Sequence, residues 1–159
     1  MNRIDFDNAV NDLLQKADAI IPDDKMEPLP PLKEMPNVRA WHPIELELWQ
    51  IGEQIRQIET KEKKRLNGEQ VNRILKICQN ENAERGRESF VMLLARKGYA
   101  SYSDRIIGLL SDADVYGHVI YTLYKMGDGR YVDFIRPFTI DQRSWIQKEA
   151  KRYIERFDK

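Results

Sequence analysis

The chain is 159 residues long, 42% apolar and 33% charged, a composition that supports one folded domain with a real core and excludes general disorder. Its 26 basic and 26 acidic residues cancel, which excludes a whole-molecule field that would draw it to nucleic acid or to an anionic membrane. Two histidines and one cysteine exclude a Cys/His metal cluster and an internal disulfide, and no apolar run approaches the ~20 residues that span a bilayer.

Phe6, Val10, Leu13, Leu14, Ala17 and Ile20 recur at steps of three and four, which predicts a helix from about Phe6 to Ile21, ended by Pro22. The residues around Asn2 and Asp5 lack the apolar core of a secretory signal, and Cys78 sits alone in an apolar stretch. A cytoplasmic, reducing location is therefore expected. Pro22, Pro28, Pro30, Pro31, Pro36 and Pro43 follow closely, and their density predicts that residues 22–42 run as an extended strap, polyproline-like in preference to helix or sheet. Pro28-Leu29-Pro30-Pro31 could also serve as a proline-rich ligand, but its acidic neighbours favour the strap.

A second helix is well signalled. Pro43 suits its first position, Glu45 its third, and Trp41 can staple onto Leu46. Ile44, Leu48, Ile51, Ile55 and Ile58 continue it as an apolar seam, giving a long helix over 43–66 that Asn67-Gly68 is expected to close. The seam covers barely two heptads, fewer than the ~3–4 of a coiled coil, so packing within the domain is expected. Val71, Ile74, Leu75 and Cys78 mark a third, shorter helix that stops at Asn80-Glu81-Asn82.

The second half of the chain repeats itself. Gly98, Tyr102, Asp104 and Ile106 recur as Gly127, Tyr131, Asp133 and Ile135, each 29 residues on, and Phe90 and Leu94 align with Val119 and Leu123 at the same spacing. Val115, Val119, Leu123 and Met126 recur 31 residues later as Ile146, Ala150, Ile154 and Phe157. Each unit reads as a helix, a capping glycine and a shorter second helix, and such units bury their apolar faces by stacking. Pro137 should shorten or kink the second helix of its unit, and the final helix, Asp141 to Phe157, carries the mixed charges of a polar terminal cap.

With Ser111–Ile120 as its core phrase, the stretch Gly86–Phe157 resembles short bacterial HEAT-like repeats. The fold expected from this resemblance is all-α: a short α-solenoid of antiparallel helix pairs over 69–159, preceded by an N-terminal helix, the strap and the long helix, in a single domain spanning 1–159. Within that family the chain is similar to small immunity proteins that neutralise polymorphic or contact-dependent toxins. The resemblance implies a non-catalytic, protein-binding role against a cognate toxin domain, often a nuclease, whose active site is occluded. Asp112, Asp114 and Asp133 would meet a basic substrate groove, and Tyr102, Tyr116 and Tyr131 would supply contact area. No catalytic residue, metal or cofactor is expected, and the oligomeric state is left open. The alternatives are a HEAT-like nucleic-acid-binding or repair protein and a scaffold or chaperone subunit.

The remaining polar residues have simpler readings. His42 and Glu45 belong to a helix start, and His118 to a helix surface or a packing site. Asp104 and Asp133 favour the positive ends of their helices rather than forming a catalytic pair. Arg85, Arg87, Arg96, Lys97, Arg105 and Arg130 make a modest basic cluster, diluted by Glu84, Glu88 and Asp104 into an ordinary solvated face.

Overall fold

A computed structural model describes residues 1–159, and the chain in it is mostly helical, with one two-stranded ribbon. Its backbone contacts group into two compact units, Met1–Phe90 and Val91–Lys159.

In the first unit, helix α1 (Arg3–Ile20) starts at Asn2, whose side chain accepts the Asp5 N–H at 2.8 Å, and buries Phe6, Val10, Leu14 and Ala17 completely. This is the stripe that the sequence periodicity predicts. Helix α2 (Pro43–Glu62) packs on α1 through Leu48, Ile51 and Ile55, so its seam is satisfied within the unit. The capping box is present: the Glu45 carboxylate accepts the His42 N–H at 2.7 Å. Gly52 lies on the same helix against Ser89; a Cβ there would fall 2.1 Å from Ser89 Oγ, so no larger residue fits.

The end of α2 departs from expectation. Lys63 closes it in the left-handed conformation, φ 51°, and Asn67-Gly68 opens the next helix instead of ending this one. The reason is local chemistry: Asn67 Oδ1 accepts the Gln70 N–H at 2.9 Å while Gln70 Oε1 accepts the Asn67 N–H at 3.0 Å, a reciprocal cap that fixes the start of α3 (Gly68–Cys78). A 3₁₀ segment, Glu81–Arg87, follows the polar Asn80 turn.

The proline-rich segment is not purely polyproline-like. Strands β1 (Pro31–Leu32) and β2 (Met35–Arg39) pair antiparallel across the Lys33-Glu34 turn, with Leu32 opposite Met35. A two-stranded ribbon consists only of edges, where a proline's missing N–H is tolerated. The strap is tied at several points: Asn82 Nδ2 donates to the carbonyls of Pro22 and Asp23, the His42 ring bonds the Glu27 carbonyl at 2.8 Å, and Arg85 donates to the Ala40 carbonyl at 2.8 Å.

The second unit is less regular than two matched helix pairs. Helix α4 (Glu88–Leu93), begun in the first unit, ends after Leu93, and 3₁₀ segments Lys97–Arg105 and Ile107–Ser111 follow. Helix α5 (Tyr116–Met126) buries Val119, Ile120, Leu123 and Met126. Gly127 caps it at φ 77°, the left-handed backbone that glycine adopts without cost. Gly98, at the matching repeat position, lies inside a 3₁₀ run and is not among the positive-φ glycines, so the two copies share a pattern but not a cap. Helix α6 (Val132–Ile135) gives way to a 3₁₀ turn, Arg136–Ile140, at Pro137, as the sequence predicts. Helix α7 (Ser144–Phe157) packs on α5 and α6 through Ile146, Ala150 and Tyr153.

Candidate partner-binding surface

The richest surface chemistry of the second unit gathers where α5 and α7 begin. Asp112 Oδ1 accepts the Asp114 N–H at 3.0 Å and the Asp112 carbonyl accepts the Tyr116 N–H at 3.0 Å, a turn that feeds the chain into α5. Asp141 does the same before α7, its Oδ1 accepting the Arg143 N–H at 2.8 Å. The two starts are joined directly, because Tyr116 donates its hydroxyl to Asp141 Oδ2 at 2.6 Å. Close approach of the helices depends on Gly117, where a Cβ would lie 2.4 Å from the Trp145 ring and 2.8 Å from Ile146.

Rings and one cation cover this junction. Phe138 stacks on Tyr116 with centroids 5.1 Å apart, the Arg143 guanidinium lies 4.8 Å from the Tyr116 ring and 6.0 Å from that of Trp145, and Trp145 meets the His118 ring at 5.1 Å. Trp145 remains 42% exposed, Phe134 62% and Ile140 82%. Burial, with a smaller contribution from Arg143, holds the His118 pKa down at about 4, so this imidazole is neutral at pH 7. Burial and the bond to Asp141 push the Tyr116 hydroxyl up.

The six residues singled out from the sequence separate. Asp112, Asp114 and Tyr116 come together at the start of α5, all half-buried. Tyr102 is half-buried on the Lys97–Arg105 segment, and Asp133, in the first turn of α6, is almost fully exposed, 4.0 Å from Arg136. Tyr131 is buried. Its hydroxyl joins an internal network in which Ser103 Oγ donates to Asp128 Oδ2 at 2.6 Å, Arg130 donates to Asp128 at 2.8 Å and to the Tyr131 oxygen at 3.2 Å, and Tyr153 donates to the Asp128 carbonyl. Arg130 and Ser103 hold the Asp128 carboxyl down at about 2. Ser103 has no histidine among these partners to act as a base, so the network reads as a clamp between the 3₁₀ segment, α6 and α7.

Phe138, Ile140, Asp141, Arg143 and Trp145 were not singled out as one site. Their signal was present in Phe138-x-Ile140-Asp141-x-Arg143-x-Trp145, an apolar and aromatic run on a segment too short to bury it. The basic cluster also needs correction: Arg87 is 1% exposed, its guanidinium donating to the Glu84 carbonyl at 2.7 Å and the Cys78 carbonyl at 3.2 Å, so it belongs to the interior of the first unit.

No group of three or more His, Cys, Asp or Glu side chains is placed to hold a metal ion. No helix is long and apolar enough to cross a membrane. Compared with protein-family models, curated proteins and solved structures, the chain finds no match.

Proposed function

We propose that the chain is a non-catalytic protein-binding module, a short HEAT-like α-solenoid acting as an immunity protein that occludes the active site of a cognate toxin domain in the cytoplasm. The observation that supports binding is the partly exposed Tyr116–Arg143–Trp145 stack with Ile140 beside it in the chain. Trp, Tyr and Arg are the side chains that dominate binding energy at protein interfaces, and here their geometry is fixed by Asp141 and Gly117 before any partner arrives. Asp112 and Asp114 add negative charge at the same helix start, suited to a basic substrate groove.

The test is a search for a toxin domain encoded beside the gene and co-expression with it, followed by purification at high salt and titration calorimetry. A stoichiometric complex that rescues growth is expected, weakened at least about tenfold by Trp145→Ala and several-fold by the double reversal Asp112→Lys, Asp114→Lys. Unchanged affinity in both variants would remove this surface from the interface. Recovery of nucleic acid alone, lost at high salt, would favour the nucleic-acid-binding alternative.

A further inference from the structure

The strap of the first unit is buried with a period of three. Met26 and Leu29 are half-buried, Leu32 follows three residues on at 39% exposure, and Lys25, Glu27, Pro28, Pro30 and Pro31 are all exposed. Three residues per turn is the period of a polyproline II helix, and the local chemistry favours it. Pro28, Pro30 and Pro31 fix their φ at about −65°, and each proline restricts the residue before it to extended backbone. The segment is held at both ends. Asn82 donates to the Pro22 and Asp23 carbonyls, the Glu27 carbonyl bonds the His42 ring at 2.8 Å, and β1 pairs with β2 from Pro31 onward.

A chain with this period is a prism with three edges. The edge carrying Met26, Leu29 and Leu32 is the covered one, so the other two, with Pro28 and Pro31 on one and Glu27 and Pro30 on the other, face outward. Domains that read polyproline ligands grip two Xaa-Pro steps, three residues apart, in an aromatic-lined groove, and the period turns the residue between the steps away from that groove. Here the steps are Glu27-Pro28 and Pro30-Pro31, and the residue between them is Leu29. The edge that the unit covers is therefore the one a reader leaves free, and the segment serves as strap and ligand at once. Charge adds direction. Lys33 stands two residues after Pro31 at the exposed turn of the ribbon, and its side chain has no ion pair to give up. A carboxylate at that end of the groove would meet it. Because the segment is already ordered by its ties, little conformational entropy is lost on binding.

We propose that residues 28–33 are a ligand segment for a partner domain that reads polyproline II helices, its aromatic groove taking the exposed proline edges and an acidic rim taking Lys33. This site is independent of the surface around Trp145 and of the toxin reading.

The test titrates the full chain, labelled with ¹⁵N, with a panel of purified SH3 domains that read Pro-x-x-Pro followed two residues later by Lys or Arg. At least one is expected to bind saturably with a Kd on the order of 100 μM or tighter, shifting the amides of Leu29, Leu32 and Lys33 and leaving the Trp145 indole in place. The double variant Pro28→Ala, Pro31→Ala, made at two exposed rings, should weaken binding at least about tenfold while the urea midpoint of the chain stays near the parent's. Lys33→Glu should weaken it about tenfold, and Lys33→Arg should retain it. No saturable binding by any domain of the panel at ~1 mM, shifts confined to residues outside 25–33, or unchanged affinity in the double proline variant or in Lys33→Glu would each overturn the proposal.

Discussion

The two units treat their charges in opposite ways. In the first, Glu45, Glu59, Glu84 and Arg87 are each at most 3% exposed, and in the second no charged side chain is buried, only hydroxyls such as those of Ser103, Thr122 and Tyr153. Glu45 takes the Arg39 guanidinium at 3.0 Å, the His42 N–H at 2.7 Å and the Arg85 N–H at 3.2 Å; Arg39 also reaches Glu84 at 3.2 Å. These bonds tie an irregular strap to α2 and to the Glu81–Arg87 segment, in which Glu84 takes φ 46°, a conformation costly for a residue with a Cβ. In the second unit the cations lie outside, over aromatic faces: Arg143 on Tyr116 and Trp145, Arg152 and Arg156 on Tyr124 at 4.1 and 4.9 Å. Buried charge thus fixes conformation in one unit, and surface charge packs over aromatic rings in the other.

The largest test of this contrast is Glu45→Ala. Burial works to raise the Glu45 carboxyl and the bonds from Arg39, His42 and Arg85 outweigh it, so its pKa lies below the ordinary carboxylate value. Its removal takes one of two carboxylates from Arg39 and loosens the strap, and should cost about 3–5 kcal/mol in urea unfolding, with faster amide exchange at Ala40 and Trp41. A loss under ~1 kcal/mol would show that the inner charges do no more than surface pairs and would erase the distinction.

The same contrast explains what the sequence could reveal. Stripes such as Phe6–Val10–Leu14–Ala17 and Leu48–Ile51–Ile55 were legible because burial repeats at the helical period. Glu45 was legible as a cap because a capping box is local, but its partners Arg39 and Arg85 come from separate segments, and no spacing rule joins them. Arg87 looked like a surface cation for the same reason. The repeat was legible in composition; its geometry was not, since Gly98 and Gly127 occupy the same place in the pattern and different backbone conformations. The surface around Trp145 was half visible: Tyr116 and the acids before it were marked, while the ring stack depends on Tyr116 meeting Asp141 across 25 residues.

Acidification should separate the units. The His118 pKa of about 4 lies below its ordinary value of 6.5, so burial of the neutral ring contributes stability that is complete above pH 6.5 and is lost as the pH falls from 6.5 to 4. Asp128, held down at about 2 from 3.8, adds a second loss between those values. The Glu45 contribution begins to fade only as the pH falls below 4.5. Between pH 6.5 and 5 the second unit alone should weaken, with a His118 loss on the order of 2 kcal/mol by pH 5, read from urea midpoints at the Trp145 indole against those at Trp41 and Trp49. His118→Gln should flatten this limb. A limb that persists in the variant would assign the sensitivity elsewhere.

The smallest stability effect belongs to Arg143→Ala. An exposed cation over a ring contributes about 0.5–1 kcal/mol, so the variant should unfold only slightly earlier than the parent. Its other consequences are larger and opposite in kind. Arg143 helps to depress the His118 pKa, so its removal should raise that value from about 4 toward 6.5, visible in a proton titration of the imidazole, and should shift the acid limb to a narrower range. Partner affinity should fall by more than stability does, because the guanidinium orders Tyr116 and Trp145 for contact while holding little of the core together. If Arg143→Ala instead cost as much stability as Glu45→Ala and left binding intact, the outer cations would be structural, and the difference between the two units would be one of position without a difference in use.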